Sequence, residues 1–254
     1  MKKLLPILIL VALAAACTDT QETDQQLSWG QATLSIEEPI APQETLSYHI
    51  DFKLDTLAGQ STLAESVSAV IRDSILRAFA TSTVQEAMAA SADSIQKDWQ
   101  ESLAEMYDPM SDFRECLQYS YDLQGTPTEN GRDSILTYQV TLSCYLGGAH
   151  GSYVINYYNF NKKDGRLLGI RDFVPAEKEQ EVLQEMLLQL CKEYEAKDID
   201  ELREKTGILM LGDLYLTDNF MPKGDSLSFL FNQYDIAPYA AGLIGITIPL
   251  HPSR

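Results

Sequence analysis

Between residues 46 and 54, Tyr48, Ile50, Phe52 and Leu54 fall on one side of an extended segment, and His49, Asp51 and Lys53 on the other. A period of two is the pattern of a strand with one buried face. A second alternating run spans 28–36, and the stretch between them, 37–44, carries Pro39 and Pro42, which break the two strands apart. The period then becomes helical. Leu63, Val67, Val70, Ile71, Ser74 and Ala78 share a face, with Ile75 and Phe79 beside it. Thr83 and Glu86 have the form of a capping box, which opens a second helix. Its stripe is Val84, Met88, Ile95, Trp99, Leu103 and Met106, and Pro109 ends it.

From residue 114 the pattern returns to strands, at 114–123, 134–145 and 153–160, rich in Tyr, Leu, Val and Ile. Asn130-Gly131 and Asp164-Gly165 are turn signals between and after them. The clearest helix is 176–196, where Leu183, Met186, Leu187, Leu190, Cys191 and Tyr194 form one stripe and the acids gather at the start, where the helix dipole favours them. Three more strands are expected at 214–220, 226–231 and 243–250. Strands and helices come in runs instead of alternating strictly. That predicts an α+β fold, mainly antiparallel sheets with packed helices in two small subdomains, and argues against a doubly wound nucleotide fold.

The N-terminus sets the compartment. Residues 1–17 have a basic start, an apolar stretch and small residues before Cys17, the layout of an export signal. The apolar run 4–16 is shorter than the roughly 20 residues a spanning helix needs, and no other run is long enough. Leu13-Ala14-Ala15-Ala16-Cys17 resembles the lipobox of bacterial lipoproteins. That resemblance implies cleavage before Cys17, acylation there (palmitate among the chains) and a lipid anchor in the bacterial cell envelope, at the outer membrane or the outer face of the cytoplasmic membrane. An ordinary export signal that happens to hold a cysteine is the other reading. Residues 18–27 are polar, acidic and patternless, a flexible tether.

The formal charge is −18 over 254 residues, and loss of Lys2 and Lys3 with the signal takes it to −20. Such a surface repels nucleic acid and anionic headgroups and draws cationic partners, although plain solubility would account for it as well. Four cysteines include Cys17, so the folded part keeps Cys116, Cys144 and Cys191, an odd number. Cys191 sits on a helix stripe and reads as a small buried hydrophobe. Cys116 and Cys144 lie on strands joined by a hairpin, and a bridge between them is open.

Two runs stand out: 144–151, CYLGGAHG, and 231–242, FNQYDIAPYAAG. Gly147, Gly148 and Gly151 permit left-handed or close backbone. Pro238 restricts its own backbone and that of Ala237. Tyr234 and Tyr239 offer apolar faces with polar tips, and Asn232 opens the second run. Together these residues, with His150, resemble the paired domains of unknown function DUF4163 and DUF3298, which form the extracellular region of lysozyme-binding anti-sigma factors of the RsiV type and precede the catalytic domain of some peptidoglycan deacetylases. The resemblance divides the chain into a DUF4163-like part at 28–112 and a DUF3298-like part at 113–254. It implies an envelope binding module for a lysozyme-like cationic protein or for peptidoglycan. Neither the deacetylase metal domain nor the anti-sigma segment has a counterpart in the sequence, so neither activity is carried over.

No catalytic site, metal site or cofactor motif is expected. The sequence has neither HxxxH nor CxxC spacing, and no phosphate loop, nucleophile elbow or dinucleotide fingerprint. His150 is the one candidate base, against a structural histidine at a turn; His49 and His251 stand alone. An enzyme acting on wall glycan through an unidentified site, and a scaffold lipoprotein of an envelope complex, remain as alternatives.

Overall fold

The computed structural model describes residues 27–39, 47–106 and 117–250. Cys17, nearly all of the tether, Pro109, Cys116 and His251 lie outside them. Six strands form one sheet in chain order: β1 (Trp29–Pro39), β2 (Ser47–Leu57), β3 (Tyr119–Thr128), β4 (Ile135–Leu146), β5 (Ser152–Asn161) and the short β6 (Leu167–Leu168). Neighbours are antiparallel except β2 and β3, which run parallel. A parallel pair needs a crossover in place of a tight turn. Helices α1 (Thr62–Ala69) and α2 (Val84–Met106) lie on that crossover.

The expected face of β2 is the centre of this core: Tyr48, Ile50, Phe52 and Leu54 are fully buried, packed with Leu63, Val67, Ile71, Met88 and Trp99 of the helical segments. Both helices start on caps. Ser61 Oγ accepts from Ala64 N–H at 3.2 Å. Thr83 and Glu86 exchange the two bonds of the expected capping box, at 3.1 and 3.2 Å. The helix expected to run on toward Phe79 widens instead into a π-helical turn, Val70–Ile75, and then unwinds. His49 is not isolated either, because the parallel register places Asp122 at 3.4 Å from its Nε2.

The second layer has its own core. Strands β7 (Phe220–Lys223), β8 (Ser226–Phe231) and β9 (Ile244–Pro249) form an antiparallel sheet. Helices α3 (Glu179–Glu193) and α4 (Ile199–Thr206) pack on it through Met186, Leu190 and Leu202. Cys191 is only half-buried at its margin. Neither α4 nor β6 announces itself in the hydrophobic pattern, since both are short. The strand expected at 214–220 is a further correction. Residues 214–219 are irregular, and β7 starts only at Phe220. Asn219 N–H bonds Thr217 Oγ1 at 3.0 Å, a local turn that competes with a ladder.

The mainly antiparallel α+β architecture is therefore as expected, with two cores. The six-stranded sheet takes β1 and β2 from before residue 112 and β3 to β6 from after it, so the cores divide near residue 165. Among the described residues, no helix is long and apolar enough to cross a membrane.

Tyr48 stacks on Trp99 with ring centroids 4.6 Å apart, and neither its hydroxyl nor the indole N–H has a hydrogen-bond partner. Burial, helped by Glu38, pushes the Tyr48 phenol up to about 12. A phenol whose proton is held more tightly in the folded state contributes stability below the unfolded value of 10.0 and loses it as pH rises toward 12. Tyr48→Phe should thus leave stability at pH 7 equal or raise it by up to about 1 kcal/mol, by removing an unpaired buried hydroxyl. It should also flatten the decline above pH 10. Urea midpoints at pH 7 and pH 11 check this, and a large loss at pH 7 would contradict it.

Candidate functional site

The site begins at a bare strand edge. In β5 the even positions bond to β4, which leaves the N–H groups of Tyr153, Ile155 and Tyr157 facing outward, and β6 covers only Asn159 and Phe160. An uncovered edge is an aggregation template. Here amide side chains from the second layer replace the missing strand. Gln233 Oε1 accepts from Tyr153 N–H at 3.1 Å, Asn232 Oδ1 from Ile155 N–H at 2.9 Å and Asn219 Oδ1 from Tyr157 N–H at 3.0 Å. The carbonyl of Ile155 accepts in turn from Asn219 Nδ2 at 2.8 Å and Asn232 Nδ2 at 3.1 Å. Asn232 thus clasps Ile155 as a backbone residue would.

The seam continues inward as a chain of buried polar groups. Asn130 Nδ2 donates to Thr137 Oγ1, Thr137 to Asn159 Oδ1, and Asn159 Nδ2 to the Phe220 carbonyl, each at 2.8 Å. These are the three buried polar residues among those described, and every link is satisfied. Arg132 and Asn130 close the far end on Gly224: its carbonyl accepts from Arg132 Nε and its N–H donates to the Asn130 carbonyl, both at 2.8 Å.

Against this frame the second run decodes residue by residue. Phe231, Ile236 and Ala237 are core. Asp235 Oδ2 accepts from Asn232 N–H at 2.7 Å and closes a turn in which Tyr234 takes φ 71°. Pro238 packs on Gly207, where a Cβ would lie 3.2 Å from the proline ring. Gly242 ends the run at φ 69°, ψ −147°, a conformation essentially reserved for glycine. Tyr234 is left exposed and Tyr239 half-exposed.

The first run meets the second there. His150 stacks on Tyr239 with ring centroids 3.8 Å apart and planes at 21°, and Tyr239 lies 6.0 Å from Tyr234. Gly147 and Gly148 take φ 82° and 93°. Gly151 is small for a different reason, because a Cβ would come within 2.9 Å of the Cys144 carbonyl. Tyr145 Oη donates to the Gly148 carbonyl at 2.6 Å and pins the loop. Cys144 is a free buried thiol 3.1 Å from Ser152 Oγ.

The structure thus brings His150, Tyr234 and Tyr239 into one aromatic surface and assigns Asn232, Pro238 and the three glycines to its support. His150 Nδ1 sits 3.1 Å from the Gly151 carbonyl, so that nitrogen donates there. Among the described residues, no carboxylate pairs with His150, and no cluster of three or more acids, cysteines and histidines could hold a metal. The seam partners Asn219, Gln233 and Asn159 escape sequence reading. Asn159 has one signal, an asparagine within a strand, a poor strand former unless its amide is bonded; Asn219 and Gln233 lie outside the strands and have none.

Residues 172–251 match the model of DUF3298, a protein family of unknown function. The second run lies within the match and the first before it. The fold resembles two crystal structures. One, a DUF3298 family member from Bacteroides fragilis NCTC 9343, has TM-score 0.76 at 19% identity over 88% of this chain and 90% of that one. The other, a DUF3298 family protein from Pseudomonas aeruginosa PAO1, has TM-score 0.61 at 15% identity over 91% of this chain and 99% of that one. No curated protein matches.

Removing the Asn232 amide leaves the Ile155 N–H without its partner, while the Ile155 carbonyl keeps Asn219 Nδ2; an unpaired buried group costs about 1–3 kcal/mol. Asn232→Ala should destabilise the protein by about 2 kcal/mol, whereas His150→Ala, on the surface, should cost less than about 0.5 kcal/mol. Urea denaturation of the two variants side by side is the measurement, and equal losses would refute the division into support and surface.

Proposed function

We propose that the chain is a lipid-anchored recognition module of the bacterial envelope, without catalysis of its own, that binds a cationic protein of the lysozyme type through the corner built by His150, Tyr234 and Tyr239. The single observation that carries the reading is the convergence of the two unusual runs, one from each core, on an exposed aromatic surface held by a rigid amide frame. Exposed tyrosines on a rigid backbone are effective anchors for partner binding. Their faces attract lysine and arginine. A chain of formal charge −18 would also speed the approach of a basic partner. The export signal ending at Cys17 and the resemblance to lysozyme-binding extracellular regions support the envelope setting. The non-catalytic reading is supported by the engagement of His150, whose face is covered by Tyr239 and whose Nδ1 is held by backbone.

Calorimetry of the chain from Thr18 with lysozyme at near-physiological salt tests it. Saturable one-to-one binding is expected, with Tyr234→Ala and Tyr239→Ala each weakening it about tenfold or more, the cost of about 1.4 kcal/mol. Binding that moderate salt abolishes and that neither tyrosine affects would reduce the interaction to general charge attraction. Absence of a complex together with saturable binding of wall-glycan oligosaccharides would reassign the corner to sugar recognition.

A further inference from the structure

A second feature lies on the helical side of the first sheet and belongs to neither run. A cleft of about 640 Å³ opens between the 74–78 segment, α2 and strands β3 to β5. Ala90, Ser91 and Ser94 of α2 line it with small side chains, and its aliphatic floor is Leu123, which is buried, with the half-buried Leu142 and Val154. Leu76 and Ile95 complete the apolar walls, and Tyr121, Tyr158 and Asn156 bring polar atoms to them. The volume is that of a small-molecule site.

Arg77 stands in the lining. It is exposed, and it is the one described arginine with neither an ion pair nor a hydrogen bond; Arg72, Arg132, Arg166, Arg171 and Arg203 all have partners. In a chain with 37 acidic residues against 19 basic ones, an unpaired guanidinium is the exception. Its backbone is also held at φ 54°, the left-handed region that non-glycine residues avoid. The loop is fixed on both sides. Ala78 N–H bonds the Arg72 carbonyl at 2.8 Å, and the Arg72 guanidinium reaches the Thr81 carbonyl at 2.6 Å. A left-handed residue just past a helical segment is a helix-ending turn, and it holds the Arg77 backbone beside the cleft. Burial raises the phenols of Tyr121 and Tyr158, and the charge of Arg77 lowers both in part. Asp98 faces the same cleft from α2 and disfavours a second acidic group.

We propose that this cleft binds an amphipathic organic anion, with its hydrocarbon body on Leu123, Leu142 and Val154 and its carboxylate or phosphate-ester head on Arg77. Guanidinium recognises both heads through charge-assisted hydrogen bonds, and the aliphatic floor selects against inorganic anions.

Calorimetry of the full chain with decanoate, decyl phosphate and decanol, each below its micelle concentration, tests the proposal. Saturable binding of at least one anion is expected, with decanol about tenfold weaker or worse. Tighter decyl phosphate points to a phosphate-ester ligand, and tighter decanoate to a carboxylate. Arg77→Gln should remove the advantage of the anions and leave decanol unchanged. Arg77→Gly, which accepts the left-handed backbone, should do the same if glutamine disturbs the loop. Ala90→Phe, which fills the cleft and keeps Arg77, should abolish binding of all three with the urea midpoint retained. Equal affinity for anions and alcohol, indifference to both Arg77 variants, or no saturable binding would overturn it.

Discussion

The edge of β5 is the constraint around which the molecule is arranged. A sheet that ends in unpaired N–H and C=O groups must bond them, bury them or expose them to other chains. Here the second layer supplies the partners as side chains: Asn219, Asn232 and Gln233 stand where a neighbouring strand would stand. A side-chain amide offers a donor and an acceptor, as a peptide group does. This lets the two sheets join without sharing a ladder. The buried line from Asn130 through Thr137 and Asn159 to Phe220 extends the same solution into the interior.

Both candidate surfaces depend on that strand. Its odd positions present backbone to the seam, and the turn that delivers Asn232 and Gln233 also exposes Tyr234 and leads to Tyr239, under His150. Its even positions, Val154, Asn156 and Tyr158, line the cleft on the opposite face, where Arg77 waits. The two surfaces differ in chemistry. One is aromatic and set in an acidic molecule, and the other is a cationic point above an aliphatic floor.

Much of the fold is legible in the chain because its signals are local. The alternation in β2, the Thr83 and Glu86 box and the stripe of α3 each concern residues within a turn or a pleat of one another, and each is realised. The misreadings have the opposite cause. The 214–219 stretch has strand composition, yet Thr217 and Asn219 bond each other and Asn219 serves β5. The division near residue 112 follows a break in the pattern, but β2 and β3 pair across it through a parallel register that no local signal encodes.

The sequence by itself determined the element types, the α+β class and the two runs worth attention, since periodicity, capping and turn chemistry act over a few residues. Only the tertiary structure decided where the residues of those runs stand. Asn232 and Gly151 are support and Tyr234 is surface because Ile155, the Cys144 carbonyl and His150 lie far away in sequence or across a tight loop. The same holds for Arg77, an ordinary arginine in the sequence, which is set apart by a left-handed backbone, a missing partner and a cavity that distant strands create. Pairings over such separations depend on how the whole chain closes, and one-dimensional patterns carry no record of it.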